Sequence, residues 1–177
     1  MKKIILLILA TSVGGSVFAQ YRPSDDGSSL NFTIKNFGIE VSGKFSGLQG
    51  NIVFDPANIA ASNFDVSIDA ASVNTGNSLR DHHLQGESYF DVKTFPRIRF
   101  VSTRVTGGKN GNYVISGILT IKKQTKVISF PFSAMPSGGG YQFKGTFNIN
   151  RKDFNIGGTS TISDNLDVTL DIRSIKL

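Results

Sequence analysis

The stretch FKGTFNIN, residues 143–150, alternates apolar or small residues with polar ones at a period of two, and this alternation indicates the fold class. The same alternation recurs in LDVTLDIR, residues 166–173, and in FDVSID, residues 64–69. Successive side chains of a β-strand point to opposite faces, so each stretch predicts a strand with one apolar and one polar face. A helix would instead repeat its apolar residues every three or four positions.

Further apolar runs extend the pattern over most of the chain. We predict additional strands over residues 30–37, 38–45, 50–55, 98–105, 113–121 and 127–134. Two of the early runs are either separate strands or one strand bent around Gly43 or Gly47. Short connections rich in Gly, such as residues 107–111 and 137–140, favour antiparallel neighbours in a meander. Eight or nine such strands can close into an up-and-down barrel or pack as a two-sheet sandwich.

One connection differs from the others. Residues 72–95 show no alternation, and SLRDHHL, residues 78–84, predicts a short helix that Asn77 or Ser78 caps. This long, partly helical segment separates an early half of the sheet from a late half. Long irregular connections are often functional, so we expect it to cover one mouth of a barrel.

The composition excludes several classes of protein. The 177 residues carry a net charge of +6 and no Cys, with 39% hydrophobic and 18% charged residues. Without cysteine, a disulfide scaffold, a thiol enzyme and a cysteine-bound zinc site are excluded. The apolar content is too high for a disordered chain.

The first nineteen residues have the features of a secretory signal peptide. Lys2 and Lys3 precede an apolar run, and the sequence VFA at residues 17–19 ends in small residues at the cleavage positions. The apolar run is shorter than the ~20 residues that span a bilayer. We therefore predict cleavage after Ala19, leaving a single periplasmic domain over residues 20–177.

Several ordered motifs resemble those of the YceI-like family. They are SVNTGN at residues 72–77, LRDHHL at 79–84, YFDV at 89–92, FPRIRFVST at 95–103, GILTI at 117–121, TKV at 125–127 and FNINRKDFNIG at 147–157. The resemblance covers residues 29–177 and departs at Lys123, where the family often has Gly in the hairpin. It implies an exported bacterial protein whose fold is an all-β, extended eight-stranded antiparallel up-and-down barrel. Such a barrel is similar to lipocalins in shape and encloses a long isoprenoid or related lipid.

Aromatic side chains on the apolar faces are the candidate ligand contacts, although core packing is the competing interpretation for any one of them. An eight-stranded barrel is wide enough to hold one small or elongated ligand. The predicted ligand-binding residues, from the strands and from the long connection, are Phe32, Phe54, Phe64, Val66, Ile68, Leu79, Arg80, Leu84, Phe90, Phe100, Leu119, Phe132, Phe143 and Phe147.

Two interpretations apply to the charged pair Arg80 and Asp81. The pair could meet a polar headgroup at the barrel mouth, or it could tie the long connection in place through capping and ion pairing. The structural tie is favoured, because partly exposed pairs are individually weak and usually structural. Basic residues elsewhere, including Arg151 and Lys152, are interspersed with aspartates and indicate a solvated face rather than a nucleic-acid surface.

No catalytic or metal-ligating set emerges from the sequence. His82 and His83 are adjacent, and neighbouring helical residues do not share a face, so they are poorly placed to chelate one metal. We therefore predict a non-enzymatic periplasmic protein, without a cofactor other than a bound lipid, that sequesters or transports an isoprenoid. Its expected partners are a long-chain lipid, a membrane surface in transient contact and a second copy in a homodimer, but no nucleic acid. The alternatives are a secreted lipid-modifying enzyme and an envelope stress protein with a filled core.

Overall fold

Nine antiparallel strands form one continuous sheet in the computed structural model, which describes residues 19–177. The strands are β1 Gln20–Asn36, β2 Ile39–Phe45, β3 Gln49–Val53, β4 Asn63–Asp69, β5 Arg97–Gly107, β6 Asn112–Ile121, β7 Gln124–Ser137, β8 Gly140–Asn150 and β9 Ile162–Lys176. One α-helix, α1, spans Ser78–Gln85, and short 3-10 turns lie at Ile59–Ala61, Ala70–Ser72, Lys109–Gly111 and Arg151–Phe154. The predicted signal peptide lies outside the described residues, apart from Ala19.

The sheet closes because β1 pairs on both of its edges. One edge pairs with β9, and the other pairs first with β3 and then with β2. The strands β2 and β3 therefore act as one bent strand, and the sheet is a closed eight-stranded antiparallel barrel, as predicted. The bend lies at Gly47, whose φ of +73° suits glycine. There the Asp25 carboxylate accepts hydrogen bonds from the amides of Gly47 and Leu48, both at 3.0 Å.

The first strand is longer than its alternation indicates. The alternation predicts a first strand that begins at residue 30, whereas β1 begins at Gln20. Its pairing with β9 is interrupted between Ser24 and Ser29, where the sequence contains Asp25, Asp26 and Gly27. This irregularity hides the strand from a period-two reading, because an extra residue in one strand switches the face of every residue beyond it.

The interior of the barrel is occupied unevenly. Around the hairpins at residues 107–112 and 137–140, a dense aromatic cluster fills the barrel. Its buried members, which we call the aromatic cluster, are Tyr21, Ile52, Phe54, Phe64, Val105, Tyr113, Ile115, Phe130, Phe132, Ala134, Phe143 and Ile172. Towards the opposite end the inward residues are mostly aliphatic.

The long connection folds over that opposite end. Its helix α1 begins as predicted, with the Asn77 side chain accepting a hydrogen bond from the amide of Arg80. Backbone hydrogen bonds join Lys44 to Asn74 in both directions, at 2.9 and 3.0 Å. The Lys122 ammonium donates to the carbonyl of Glu87 at 2.8 Å. The connection is thus fastened to the barrel at several points.

Candidate functional site

A cavity of about 440 Å³ occupies the end of the barrel beneath the long connection. Its walls come from inward positions of the strands, its cover from α1 and the residues after it, and one edge from the turn between β8 and β9. The lining residues are Leu30, Phe32, Ile34, Asn36, Val41, Phe45, Ile68, Thr75, Asn77, Leu79, Arg80, His83, Leu84, Tyr89, Phe90, Ile98, Leu119, Ile121, Phe147, Ile149, Arg151, Ile156, Ile162, Leu166 and Val168.

The walls are built from directly paired inward residues of β1 and β9. Phe32 pairs with Val168 and Ile34 with Leu166, so apolar side chains follow each other along the seam that closes the barrel. Gly43 of β2 lies opposite Phe32, and a Cβ atom at Gly43 would lie 2.3 Å from the Phe32 ring. The Phe32 ring therefore occupies the space that a side chain on β2 would otherwise take.

The cover contributes both apolar and polar side chains. Phe90 contacts Phe45 edge-on, with ring centroids 5.4 Å apart. Leu79 and Leu84 line the cavity from α1, and Leu79 remains 67% exposed. The outer end of the cavity therefore lies beside α1 and the β1–β2 hairpin.

The polar side chains of the cavity gather at this outer end. Arg80 donates from Nε to the Thr75 hydroxyl at 2.7 Å and from a terminal nitrogen to the Thr75 carbonyl at 2.9 Å. The Asp81 carboxylate accepts from the Thr75 amide at 2.8 Å and from its hydroxyl. These contacts supply the structural tie that the sequence favoured for Arg80, which nevertheless also lines the cavity.

Arg151 was predicted to lie on a solvated face, and this prediction is wrong, because the residue is buried at the edge of the cavity. Its side chain is only 4% exposed, and it donates to five backbone carbonyls, to the Ser160 hydroxyl and to the Asp164 carboxylate at 2.8–3.3 Å. A guanidinium has five N–H groups, so these acceptors occupy all of them. Arg151 therefore holds the turn between β8 and β9 and has no donor left for a ligand. It continues the inward alternation of Phe147 and Ile149, a signal that could have identified it.

Eight of the fourteen predicted ligand-binding residues line this cavity. They are Phe32, Ile68, Leu79, Arg80, Leu84, Phe90, Leu119 and Phe147. Prediction missed most of the aliphatic wall, although the alternation in residues 30–34 and 166–168 already indicated it.

The other six predicted residues do not line the cavity. Phe54, Phe64, Phe132 and Phe143 belong to the aromatic cluster, and Val66 and Phe100 pack against it. Phe143 meets Phe54 and Phe64 edge-on, with centroids 5.2 and 5.3 Å apart. Aromatic rings favour this geometry, and here it fills the barrel rather than lining a channel.

Charged residues of the outer wall pair with one another. Arg99 donates two hydrogen bonds to the Asp65 carboxylate, from Nε at 2.8 Å and from a terminal nitrogen at 2.6 Å. These hydrogen bonds hold the pKa of the Asp65 carboxyl below its usual value. Partial burial by itself raises the pKa of Asp171, but hydrogen bonds from Lys144 and Gln142 outweigh it and lower that pKa. The basic residues Arg99 and Lys144 are thus partnered across neighbouring strands.

Among residues 19–177, no group of three or more His, Cys, Asp or Glu side chains is arranged to hold a metal ion. The same part of the chain contains no helix of sufficient length and apolarity to cross a membrane.

The comparisons with known proteins agree with this architecture. A family model described as the YceI-like domain matches residues 21–174. A UPF0312 protein of Yersinia pestis is 33% identical over 180 residues, which cover 96% of this chain and 93% of the relative. The crystal structure of Burkholderia cenocepacia BcnA superimposes with a TM-score of 0.79 at 26% identity, covering 85% of this chain and 98% of BcnA.

Two further solved structures share the fold. The Campylobacter jejuni YCEI protein gives a TM-score of 0.70 at 27% identity, covering 100% of this chain and 99% of that protein. A polyisoprenoid binding domain from Saccharophagus degradans gives 0.72 at 16% identity, covering 89% of this chain and 98% of that domain. At the lower identity the likeness extends to the fold alone.

Proposed function

This chain belongs to the YceI-like family, and we propose that it is a non-enzymatic binding protein whose cavity holds the apolar chain of an isoprenoid or related lipid. The observation that carries the proposal is the distribution of polarity along the cavity. The polar lining residues Asn36, Thr75, Asn77, Arg80 and His83 belong to the end of β1 and to the segment around α1. Arg151 is the other charged lining residue, and its donors are taken by its own turn, so the remaining lining is almost entirely apolar. Such a gradient matches a molecule with a long apolar chain and a polar head.

Burial of the chain supplies the binding energy. Apolar surface that leaves water contributes ~25 cal/mol per Å², or ~0.8 kcal/mol per methylene. A chain of about ten methylenes would therefore gain roughly 8 kcal/mol, from which the costs of association are subtracted. Sequestration of the lipid requires only this transfer of its apolar chain from water into the cavity. The name of the Saccharophagus degradans domain supports an isoprenoid as the ligand, although the likeness to that domain is one of fold.

The polar head would meet the outer end of the cavity. Among the arginines of the lining, Arg80 is the one we expect to meet such a head, since all the donors of Arg151 are used by its own turn. Thr75 and Asn77 add uncharged hydrogen-bonding groups. A binding role rather than catalysis is favoured because, in the described part of the chain, the polar lining contains no carboxylate or second histidine to act with His83.

The proposed setting is the periplasm, with brief contact between the cavity mouth and a membrane surface during loading. Exposed apolar residues beside the mouth support that contact: Phe37 and Ile39 at the tip of the β1–β2 hairpin are 77% and 71% exposed. Phe37→Asp should slow lipid uptake from vesicles. Met135→Asp is the matched control, because Met135 is 61% exposed and lies on β7, which contributes no residue to the cavity lining. Equal rates for the two variants would remove the membrane contact from the proposal.

We also propose that two copies of the chain associate as a homodimer through the outer wall of the barrel. Val101, Ile118 and Val127 are paired neighbours across β5, β6 and β7 and form an apolar row on the outer wall. Analytical ultracentrifugation of the full chain would test self-association, and Ile118→Lys should leave a monomer if this row is the contact.

Native mass spectrometry of protein exported by its own host tests the binding function. We expect a co-purifying lipid, lost in Phe147→Arg because the charge would be desolvated inside the cavity. Asn148→Arg, on the exposed face of the same strand, is the matched control and should retain the lipid. If Phe147→Arg does not fold, Ile34→Arg places the charge at a half-buried wall position instead. A lipid-free wild type would favour an envelope protein without a ligand, and turnover of the lipid would favour an enzyme.

A further inference from the structure

We infer that three phenylalanine rings laid across the barrel limit the length of chain that the cavity accepts, an inference that rests on the proposed function. The rings belong to Phe100 of β5, Phe130 of β7 and Phe147 of β8, and we call them the aromatic floor. Phe147 lines the cavity and Phe130 belongs to the aromatic cluster, so the three rings lie where the open part of the barrel meets the filled part. The floor would make this a pocket with a closed bottom rather than a channel through the barrel.

The contacts within the floor are close. Phe147 lines the cavity, and its ring stacks on that of Phe130 with centroids 4.4 Å apart and planes 24° from parallel. Phe130 in turn contacts Phe100 at 5.9 Å. Phe130 is 7% exposed and is itself a member of the aromatic cluster. A ligand chain that reaches Phe147 therefore meets a stack of rings with a filled core behind it.

Two inward-facing glycines make room for the floor. A Cβ atom at Gly117 of β6 would lie 2.5 Å from the Phe100 ring and 2.5 Å from the Val101 carbonyl oxygen. A Cβ atom at Gly145 of β8 would lie 3.4 Å from the Phe130 ring. At both positions a ring covers bare backbone, so the floor can extend across the lumen from one side.

The core behind the floor leaves no continuation for a chain. Phe64 lies 5.8 Å from Phe132 and 5.3 Å from Phe143, measured between ring centroids, and both contacts are edge-to-face. Tyr113 stacks on Phe132 at 5.2 Å. Protein interiors packed in this way contain few voids larger than a water molecule.

The strand register gives the depth above the floor. The cavity lining extends over seven residues of β1, from Leu30 to Asn36, and over seven of β9, from Val168 to Ile162. The six steps between them span about 20 Å along a strand, or about 15 Å along the barrel axis when strands tilt by about 40°. One leaflet of a bilayer has a similar hydrocarbon depth, about half of ~30 Å. The floor therefore admits a chain about one leaflet long, and a longer isoprenoid would leave its remainder outside.

A series of straight-chain fatty acids tests the limit, using the full-length mature protein after lipid extraction. In the wild type we expect Kd to fall about fourfold for each added methylene and then to become constant once the chain reaches the floor. Phe147→Ala should move this plateau to longer chains. Phe130→Leu, a smaller change, should move it in the same direction and serves if Phe147→Ala does not fold. Tyr113→Leu is the matched control, because it trims a buried ring that does not touch the cavity, and its plateau should equal that of the wild type.

Each outcome has a distinct meaning. Affinity that continues to rise for chains longer than one leaflet would overturn the inference, as would a plateau that neither floor variant moves. A wild type that binds no fatty acid of any length, and no lipid from its host, would instead refute the proposed function itself.

Discussion

Replacing Arg151 by Met should destabilise the edge of the cavity that the turn between β8 and β9 forms, because this one guanidinium holds that turn. Met keeps most of the buried stem but removes all five N–H groups. The carbonyls of Ile156 and Ile162 and the carboxylate of Asp164 would lose a charged donor. Breaking a network around a buried guanidinium costs about 3–5 kcal/mol, since acceptors that stay buried, such as the carbonyl of Ile156, lose their donor.

The size of this effect can be measured by urea unfolding and by calorimetry of the mature chain. For a domain of this length, 1 kcal/mol shifts Tm by about 2–4 °C, so Arg151→Met should lower Tm by about 6–20 °C. The Tm of Arg151→Lys should lie between those of the wild type and Arg151→Met, because a lysine keeps the charge but lacks the planar guanidinium. Lipid retention should fall with Arg151→Met even where the barrel is still folded, because Arg151 and Ile156 both line the cavity.

The neighbouring lysine provides the control. Lys152 also contacts Asp164, at 3.1 Å, but its side chain is 51% exposed, and exposed pairs contribute about 0–1 kcal/mol. Lys152→Met should therefore change Tm very little. A cost below about 1 kcal/mol for Arg151→Met, or an equal cost for Lys152→Met, would refute this role of the Arg151 guanidinium.

Three more predictions follow from other contacts. Arg80→Ala removes both hydrogen bonds to Thr75 and should lower Tm; if Tm falls while lipid content and headgroup preference stay unchanged, Arg80 is only a structural tie. Gly117→Ala should destabilise the barrel by about 1–3 kcal/mol in urea unfolding, because its new methyl group would overlap a floor ring and a backbone oxygen; an unchanged unfolding midpoint would contradict that geometry. Because its contact with Arg99 lowers the pKa of Asp65, the stabilisation from this pair is present above the ordinary carboxyl pKa of about 4 and is lost as pH falls through the lowered value. The free energy of unfolding of Asp65→Asn should therefore fall slightly less than that of the wild type on acidification below that pH. Parallel curves of unfolding free energy against pH would show that the pair contributes nothing.

The cavity could be predicted only in part. Alternation places Phe32, Leu119 and Phe147 on the inner face, and all three line the cavity. The same alternation places Phe64 and Phe143 on the inner face, and these two lie in the packed aromatic cluster. Facing inward is a local property of the strand, whereas the presence of space in front of a side chain depends on residues from other strands.

The polar features show the same division. The helix at Ser78–Gln85 and its Asn77 cap were predictable, because a cap is a contact between residues two or three positions apart. The role of Arg151 was not, although its position continues the inward alternation of β8. Its acceptors lie in the turn that follows and in the first residues of β9, and their convergence on one guanidinium requires that turn to be folded.

The amino-acid sequence alone is enough to predict the all-β class, the faces of most strands and the covering helix, because these depend on the period-two geometry of the strand and on short-range contacts. The family resemblance follows from the ordered motifs. Tertiary structure alone decided that β1 begins at Gln20, that β2 and β3 share one edge of it, and that half of the barrel is filled while the other half is open. The filled half depends on rings such as Phe100 and Phe130 lying over Gly117 and Gly145 of neighbouring strands. That arrangement is set by the distances between strands after the barrel closes, and no local pattern in the chain encodes those distances.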